Sequence, residues 1–147
     1  MARRTFFSFE YDQDVSRANV VRQSGTTKGV DAAGYVDAAE YEKVKKNGAP
    51  AIKAWIDEQL KGTTVTAVLV GAATCASQWV KYEIAQSKAR GNGLLGIDIS
   101  QIKDFDGKGT TCCGPLPEGY SFYRWSSDKG YENLGDWVEK AAKAAGR

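Results

Sequence analysis

TVTAVLVG, residues 64–71, is the stretch that decides the fold. Its central residues are almost all apolar, which is typical of a strand buried on both faces of a parallel sheet. A loop of small residues follows, and WVKYEI, residues 79–84, then begins a helix. Trp79 and Glu83 are four residues apart and therefore lie about 40° apart on one face of that helix. Glu83 is thus an acidic side chain on the inward face, at the sheet edge where α/β proteins bind ligands.

Strands and helices alternate along the rest of the chain. Residues 30–47 are ambiguous, because they fit either a short edge strand near 34–36 or a helix that starts near Asp37. Such alternation predicts a parallel sheet with helices on both faces. We therefore expect a flavodoxin-like three-layer α/β fold, with a mostly parallel sheet of four to five strands, in one domain spanning residues 1–147. The predicted strands are 5–9, 64–71, 94–99 and 120–125, the helices are 14–23, 50–61, 79–90 and 134–145, and the loops are 24–29 and 103–119.

Composition narrows the class of partner. The chain has 147 residues, of which 42% are hydrophobic and 26% charged, and its net charge is +2. This charge is too small to argue for nucleic acid, and no basic stripe is interleaved with aromatic residues. The longest apolar run, 67–73, is too short to cross a membrane, and residues 5–10 do not form the core of a signal peptide. We expect a cytoplasmic protein that binds neither nucleic acid nor a membrane.

Histidine is absent from the sequence, and this limits the chemistry. Without histidine, Ser-His and Cys-His triads and most zinc sites are excluded. Any catalysis must use carboxylates, lysine, tyrosine, hydroxyl groups or a cofactor. The three cysteines, Cys75, Cys112 and Cys113, form no C-x-x-C pair. This spacing favours free thiols in a reducing compartment.

Several segments resemble Toll/interleukin-1 receptor (TIR) domains. RTFFSFEYD, residues 4–12, resembles their first-strand box. More closely, the chain resembles the ThsB-like branch of bacterial TIR-like proteins, which belongs to Thoeris antiphage defence. The resemblance covers nearly the whole chain in order, although an acidic residue before the first strand and the second box, Arg-Asp-x-x-Pro-Gly, are both missing. The other segments that carry it are IKAWIDEQLKGT (52–63), WVKYEI (79–84) and RGNGLLGI (90–97).

The resemblance implies an enzyme that cleaves NAD+ between nicotinamide and ribose, with Glu83 as the catalytic residue. It also implies that the product is a cyclic ADP-ribose isomer, a diffusible signal that activates a separate effector protein. NAD+ is then the substrate, and neither a cofactor nor a metal is expected. A homo-oligomer and a phage-derived trigger remain open as further partners. The alternative is a non-catalytic TIR-like adaptor or a nucleotide-binding interaction module.

The reaction suits a site without histidine. The nicotinamide of NAD+ is a cationic leaving group that departs neutral, so it needs no general acid. The ribosyl cation left behind resembles the oxocarbenium state of glycoside cleavage, which a carboxylate stabilises. One carboxylate is therefore enough, and an indole such as that of Trp79 can stack on a base.

The expected substrate-binding residues are Phe9, Tyr11, Asp12, Trp79 and Cys75. Each candidate also has an ordinary structural interpretation. A helix glutamate such as Glu83 is most often a surface acid paired with Lys or Arg, Trp79 and Phe9 fit a core, Asp12 fits a helix cap, and Cys75 fits a small filler. Arg17 could meet a pyrophosphate, although a solvated helix arginine is the favoured interpretation.

Overall fold

A single five-stranded parallel sheet organises the chain. The computed structural model describes residues 3–26, 30–33 and 43–147. The strand order is β2-β1-β3-β4-β5, and each neighbouring pair runs parallel. This confirms the predicted flavodoxin-like α/β architecture. The strands are β1 (Arg3–Ser8), β2 (Val30–Ala33), β3 (Val65–Val70), β4 (Gly93–Asp98) and β5 (Ser121–Arg124).

Helices cover both faces of this sheet. Between the strands and after β5 lie α1 (Tyr11–Thr26), α2 (Ala49–Leu60), α3 (Gln78–Ala89) and α4 (Gly130–Ala144). A short helical turn at 43–46 and a 3-10 turn at Thr74–Ala76 precede α2 and α3 respectively. Within the described residues, no helix combines the length and the apolar character needed to cross a membrane.

The alternation of side chains along β1 separates two cores. Phe7 faces the side of the sheet where Val21 of α1 and Leu134 of α4 pack. Phe6 faces the other side and packs with Ile56 of α2. Residues two apart on a strand share a face, so Ser8 lies on the same side as Phe6. That side is the one covered by α2 and α3.

Several boundaries differ from the sequence prediction: β1 begins at Arg3 rather than at 5, and α4 begins at Gly130 rather than at 134. Helix α1 begins at Tyr11 rather than near Asp14, because the carboxylate of Glu10 accepts a hydrogen bond from the backbone N–H of Gln13 at 3.0 Å. The helix also continues through part of the predicted loop 24–29. In the ambiguous stretch 30–47, β2 is a strand, whereas the alternatives placed at 34–36 and at Asp37 lie outside the described residues.

The turn between β3 and α3 is held by side-chain hydrogen bonds. The backbone N–H of Gly71 donates to Thr74 Oγ1 at 2.8 Å, and the Ser77 hydroxyl accepts the N–H of Val80 at 3.2 Å. Ser77 is thus the N-cap of α3, a role in which serine is strongly favoured. These bonds fix the point from which α3 projects Trp79 and Glu83.

The prediction of free thiols is wrong for two of the three cysteines. Cys75 and Cys113 form a disulfide with Cα atoms 6.0 Å apart, while Cys112 remains a thiol. The loop after β4 folds back onto the β3–α3 turn, where the N–H of Cys113 donates to the carbonyl of Gly71 at 3.1 Å. This return brings together two cysteines separated by 38 positions, which their spacing alone does not indicate.

Candidate functional site

A pocket lies beyond the carboxyl end of β1, where the strand order changes direction. β1 lies between β2 and β3 in the sheet: the chain passes from β1 to β2 on one side and then crosses back over β1 to β3 on the other. Such a switch point is the usual ligand-binding position in open α/β sheets. The pocket is lined by Phe7, Phe9, Glu10, Tyr11, Val44, Lys45, Ile52, Trp55, Ile56, Ser77, Trp79 and Glu83.

Glu83 is the buried acid of this pocket. Its side chain projects from the first half of α3, and the residue is 7% exposed. The hydroxyl of Ser8, at the end of β1, lies 2.6 Å from Glu83 Oε1. Among the described residues, no hydrogen bond reaches Oε2, which leaves that oxygen for a group that enters the pocket.

Burial dominates the electrostatics of Glu83. Removal from water raises the pKa of this carboxyl from 4.5 to about 8, although the hydrogen bond from Ser8 acts in the opposite direction. Desolvation disfavours the charged form, and a donor to the carboxylate favours it. A carboxyl whose pKa is raised by burial is typical of functional sites. It ionises more readily when a cation binds beside it.

Aromatic side chains form much of the pocket wall. The rings of Phe9 and Tyr11 stack with centroids 5.8 Å apart and an interplanar angle of 24°. On the helix side, Trp79 meets Tyr82 edge to face at 6.2 Å. Trp55 of α2 adds a second indole to the lining. Flat faces of this kind can hold a nucleobase or a pyridinium ring by stacking and cation–π attraction.

Charged groups of both signs stand at the rim. Lys45 lines the pocket, and its ammonium lies 3.4 Å from Asp12 Oδ2 in an exposed ion pair. Glu10 is also a lining residue, and partial burial raises the pKa of its carboxyl. The rim therefore offers a cation to a phosphate group, with acidic neighbours that limit its charge.

The structure brings together four of the six predicted site residues. Phe9, Tyr11, Trp79 and Glu83 all line the pocket. Asp12 is not a lining residue, but it reaches the rim through its ion pair with Lys45. Cys75 does not line the pocket, because its sulfur is directed to Cys113 in the disulfide.

Arg17 is not a solvated helix residue. It is 4% exposed and pairs with Asp14 at 3.0 Å. Its Nε donates to the carbonyl of Ile102 at 2.8 Å, and a terminal nitrogen donates to the carbonyl of Lys108 at 2.9 Å. Arg17 therefore anchors the loop that follows β4, and it is not among the pocket-lining residues.

Sequence reasoning missed eight of the twelve pocket-lining residues, and it also missed Ser8, which contacts Glu83. Ile52 and Trp55 looked like the core face of an amphipathic helix, and they do pack beside Phe6 while also lining the pocket. Lys45 lies in the stretch whose structure was ambiguous. Ser8 is a polar residue among aromatic residues of a buried strand. Because buried polar groups are hydrogen-bonded, this position could have indicated that the Ser8 hydroxyl has a partner.

The pocket is small as it stands. Its cavity volume is about 50 Å³, well below the roughly 300–1,000 Å³ of ordinary ligand pockets. A dinucleotide therefore fits only if the aromatic walls move apart, or if only part of the dinucleotide enters the pocket beside Glu83.

Comparison with known proteins agrees with this geometry. Residues 6–104 match the family model described as "Thoeris protein ThsB, TIR-like domain", and this range includes both Ser8 and Glu83. The chain is also 42% identical over 140 residues to a Bacillus cereus (strain MSX-D12) protein named "Putative cyclic ADP-D-ribose synthase ThsB1", an alignment covering 94% of this chain and 72% of that protein. The chain belongs to the family of Thoeris ThsB TIR-like domains.

Proposed function

We propose that this protein cleaves the nicotinamide–ribose bond of NAD+ and converts the remaining ADP-ribosyl group into a cyclic ADP-ribose-type nucleotide. The observation that carries the proposal is the buried carboxyl of Glu83, held by Ser8 on one oxygen in an aromatic pocket. Family membership and the name of the B. cereus relative support the same reaction class. NAD+ is the substrate, and the reaction draws on no further cofactor.

Glu83 stabilises the positive charge that develops on the ribose as nicotinamide leaves. At a separation of about 4 Å and an effective dielectric constant near 20, opposite unit charges attract by about 4 kcal/mol. That amount corresponds to roughly a thousandfold in rate. The positive charge of NAD+ also favours the ionised carboxylate, and thus offsets the burial that raises the pKa of Glu83.

Aromatic residues bind and orient the two bases. The stacked pair Phe9–Tyr11 offers a flat face near the end of β1, and Trp79 offers another on α3. Cyclisation requires the adenine to reach the ribosyl cation before water does, so a pocket closed by these rings favours it over hydrolysis. We assign the pyrophosphate to Lys45, which lines the rim of the pocket.

The product leaves as a diffusible signal for a separate effector protein. This part of the proposal rests on family membership and on the cyclic nucleotide in the relative's name. Activation by a phage-derived trigger and sharing of the site between copies of the chain are further proposals that belong to the same account.

Product analysis tests the proposed function. The wild-type protein is incubated with NAD+, with and without lysate from phage-infected bacteria. Nicotinamide and the nucleotide products are then separated by chromatography and identified by mass spectrometry. We expect nicotinamide together with an isomer that is one water lighter than ADP-ribose. Release of ADP-ribose as the sole nucleotide product would show that the protein hydrolyses NAD+ and does not cyclise it. Absence of nicotinamide in both conditions would favour the adaptor alternative.

A further inference from the structure

The hydrogen bond between Ser8 and Glu83 joins β1 to α3 inside the protein. Ser8 is fully buried as the last residue of its strand, and its Oγ lies 2.6 Å from Glu83 Oε1. A distance this short is typical of a hydroxyl that donates to an ionised carboxylate. The two residues are 75 positions apart in sequence, so the contact exists only because α3 packs over the end of β1.

This contact gives the two oxygens of the carboxylate different environments. Oε1 accepts the Ser8 hydroxyl, whereas Oε2 accepts no hydrogen bond from any residue that the structure describes. A carboxylate held by one oxygen cannot rotate freely about its terminal bond without losing that hydrogen bond. The unbound oxygen therefore keeps a fixed direction relative to the pocket.

We propose that Ser8 is a positioning residue for Glu83, which fixes Oε1, leaves Oε2 to the substrate and favours the ionised form of the carboxyl. The catalytic consequence rests on the proposed function, whereas the contact itself does not. Ser8 touches neither substrate nor reacting atoms in this account, and it acts only through Glu83.

A purely structural role of Ser8 leads to a different expectation for the pKa of Glu83. If Ser8 only satisfies its own buried hydroxyl, its removal would destabilise the fold and leave the acidity of Glu83 unchanged. If Ser8 holds the ionised form, its removal raises the pKa of the Glu83 carboxyl, because a donor to the carboxylate is lost while burial remains. The protonation of Glu83 therefore distinguishes the two roles.

Ser87→Ala is a matched control for Ser8→Ala. Ser87 is also a fully buried serine, and it lies one turn after Glu83 on α3. Its hydroxyl contacts the backbone carbonyl of Glu83 at 2.7 Å and the hydroxyl of Thr66 at 2.7 Å, and no hydrogen bond joins it to the carboxylate. Both substitutions remove one buried hydroxyl, but only one of them removes a donor to the carboxylate.

The first experiment titrates the Glu83 carboxyl carbon by NMR in protein labelled with 13C-glutamate. The signal is assigned by its loss in Glu83→Gln. We expect Ser8→Ala to raise the pKa of Glu83 by about one unit, since a hydrogen bond to a charged group is worth roughly that much. Ser87→Ala should leave it within a few tenths of a unit. Equal pKa values in the wild type and Ser8→Ala would overturn the proposal.

The second experiment measures kcat/KM for nicotinamide release across pH, since this profile reports the free enzyme. A one-unit rise in pKa reduces the ionised fraction at pH 7 about tenfold, so Ser8→Ala should lose about tenfold there and recover at high pH. A loss by the same factor at every pH contradicts the proposal. If Ser8→Ala does not fold, Ser8→Cys keeps a side chain of the same shape with a weaker donor, and the pKa of Glu83 should shift in the same direction. A wild type that releases no nicotinamide, with or without lysate from phage-infected bacteria, would refute the proposed function, while the NMR titration would still decide the role of Ser8.

Discussion

At the scale of single residues, the Glu83 carboxyl meets two opposing demands. It must stay out of water to act strongly on a nearby cation, and it must be ionised to act at all. Burial serves the first demand and raises the pKa of Glu83 to about 8. The Ser8 hydrogen bond serves the second, and the positive charge of the substrate adds to it. Activity should therefore rise with pH across the neutral range.

The same pKa makes the stability of the fold depend on pH. Between about pH 4.5 and pH 8, the folded protein keeps a proton on Glu83 that the unfolded chain releases. The free energy of unfolding therefore falls as pH rises through this window. Gln at position 83 does not titrate, so the free energy of unfolding of Glu83→Gln does not carry this pH dependence. The difference in free energy of unfolding between Glu83→Gln and the wild type should therefore shift in favour of the variant by on the order of a few kcal/mol between pH 4 and pH 9.

Urea unfolding at pH 4, 6, 8 and 9 measures this difference. Glu132→Gln is the matched control, because Glu132 is an exposed glutamate on α4. Its stability relative to the wild type should vary little with pH. A Glu83→Gln curve parallel to the wild type at all four pH values would show that Glu83 is not buried as an acid.

Part of this residue-level picture could be predicted from the sequence. The four-residue spacing of Trp79 and Glu83 placed both on the inward face, and the lack of histidine excluded imidazole chemistry. The resemblance to TIR domains then implied Glu83 as the catalytic residue. The partner of Glu83 could not be predicted, because strand alternation gives the face of Ser8 but not the side chain opposite it. Arg17 was misread for a related reason, since its partners Ile102 and Lys108 belong to a distant loop.

At the scale of elements, the turn between β3 and α3 is the structural base of the site. The Ser77 cap sets the start of α3, and the disulfide Cys75–Cys113 ties this turn to the loop that follows β4. The same loop is anchored to α1 by Arg17. Three elements are thus joined around the helix that carries Glu83.

Loss of the disulfide should lower thermal stability. For a loop of 38 residues, the loss of chain entropy in the unfolded state is worth about 4 kcal/mol. We expect Cys75→Ser to lower Tm by roughly 10 °C in the absence of reductant. Cys112→Ser is the matched control, because Cys112 is a neighbouring thiol outside the bond. Reductant should lower Tm for Cys112→Ser but not for Cys75→Ser.

The opposite pattern, with equal Tm values for the two serine variants and no effect of reductant, would show that Cys75 and Cys113 are thiols in solution. A disulfide is uncommon in a reducing cytoplasm, so the cytoplasmic location stays a prediction. Cys75 remains a predicted substrate-binding residue without support from its position, because it lies outside the pocket lining.

Regular elements were predictable where their apolar pattern was strong. β3 and α3 were predicted to within one residue at either end, because a buried strand and a capped helix each have a local signature. The start of α1 was missed, since it depends on the Glu10 carboxylate bonding to Gln13. The pairing of distant cysteines had no local signature at all.

At the scale of the whole molecule, one sheet separates two cores. Trp125 and Trp137 pack in the core beneath α1 and α4, whereas Trp55 and Trp79 pack on the side of α2 and α3. The pocket lies at the end of the sheet between β1 and α3, so both layers must be formed to build it. The single domain spanning 1–147 stays a prediction, and these four tryptophans can test it.

Fluorescence from each core should report the same unfolding transition. The double variant Trp125→Phe/Trp137→Phe keeps only the tryptophans on the side of α2 and α3. The double variant Trp55→Phe/Trp79→Phe keeps only those in the core beneath α1 and α4. For one cooperative domain, the urea midpoint within each variant should be the same by fluorescence and by far-UV circular dichroism. Separate fluorescence and circular dichroism midpoints in either variant would indicate that the two layers unfold independently.

The central claim is that the carboxylate of Glu83 carries NAD+ cleavage, and nicotinamide release by Glu83→Gln tests it most directly. The variant is assayed at pH 8 beside the wild type and Glu132→Gln, each confirmed as folded by circular dichroism. Loss of the charge should reduce release by roughly a thousandfold, while Glu132→Gln keeps the wild-type rate. A Glu83→Gln variant that releases nicotinamide within tenfold of the wild type would contradict the account.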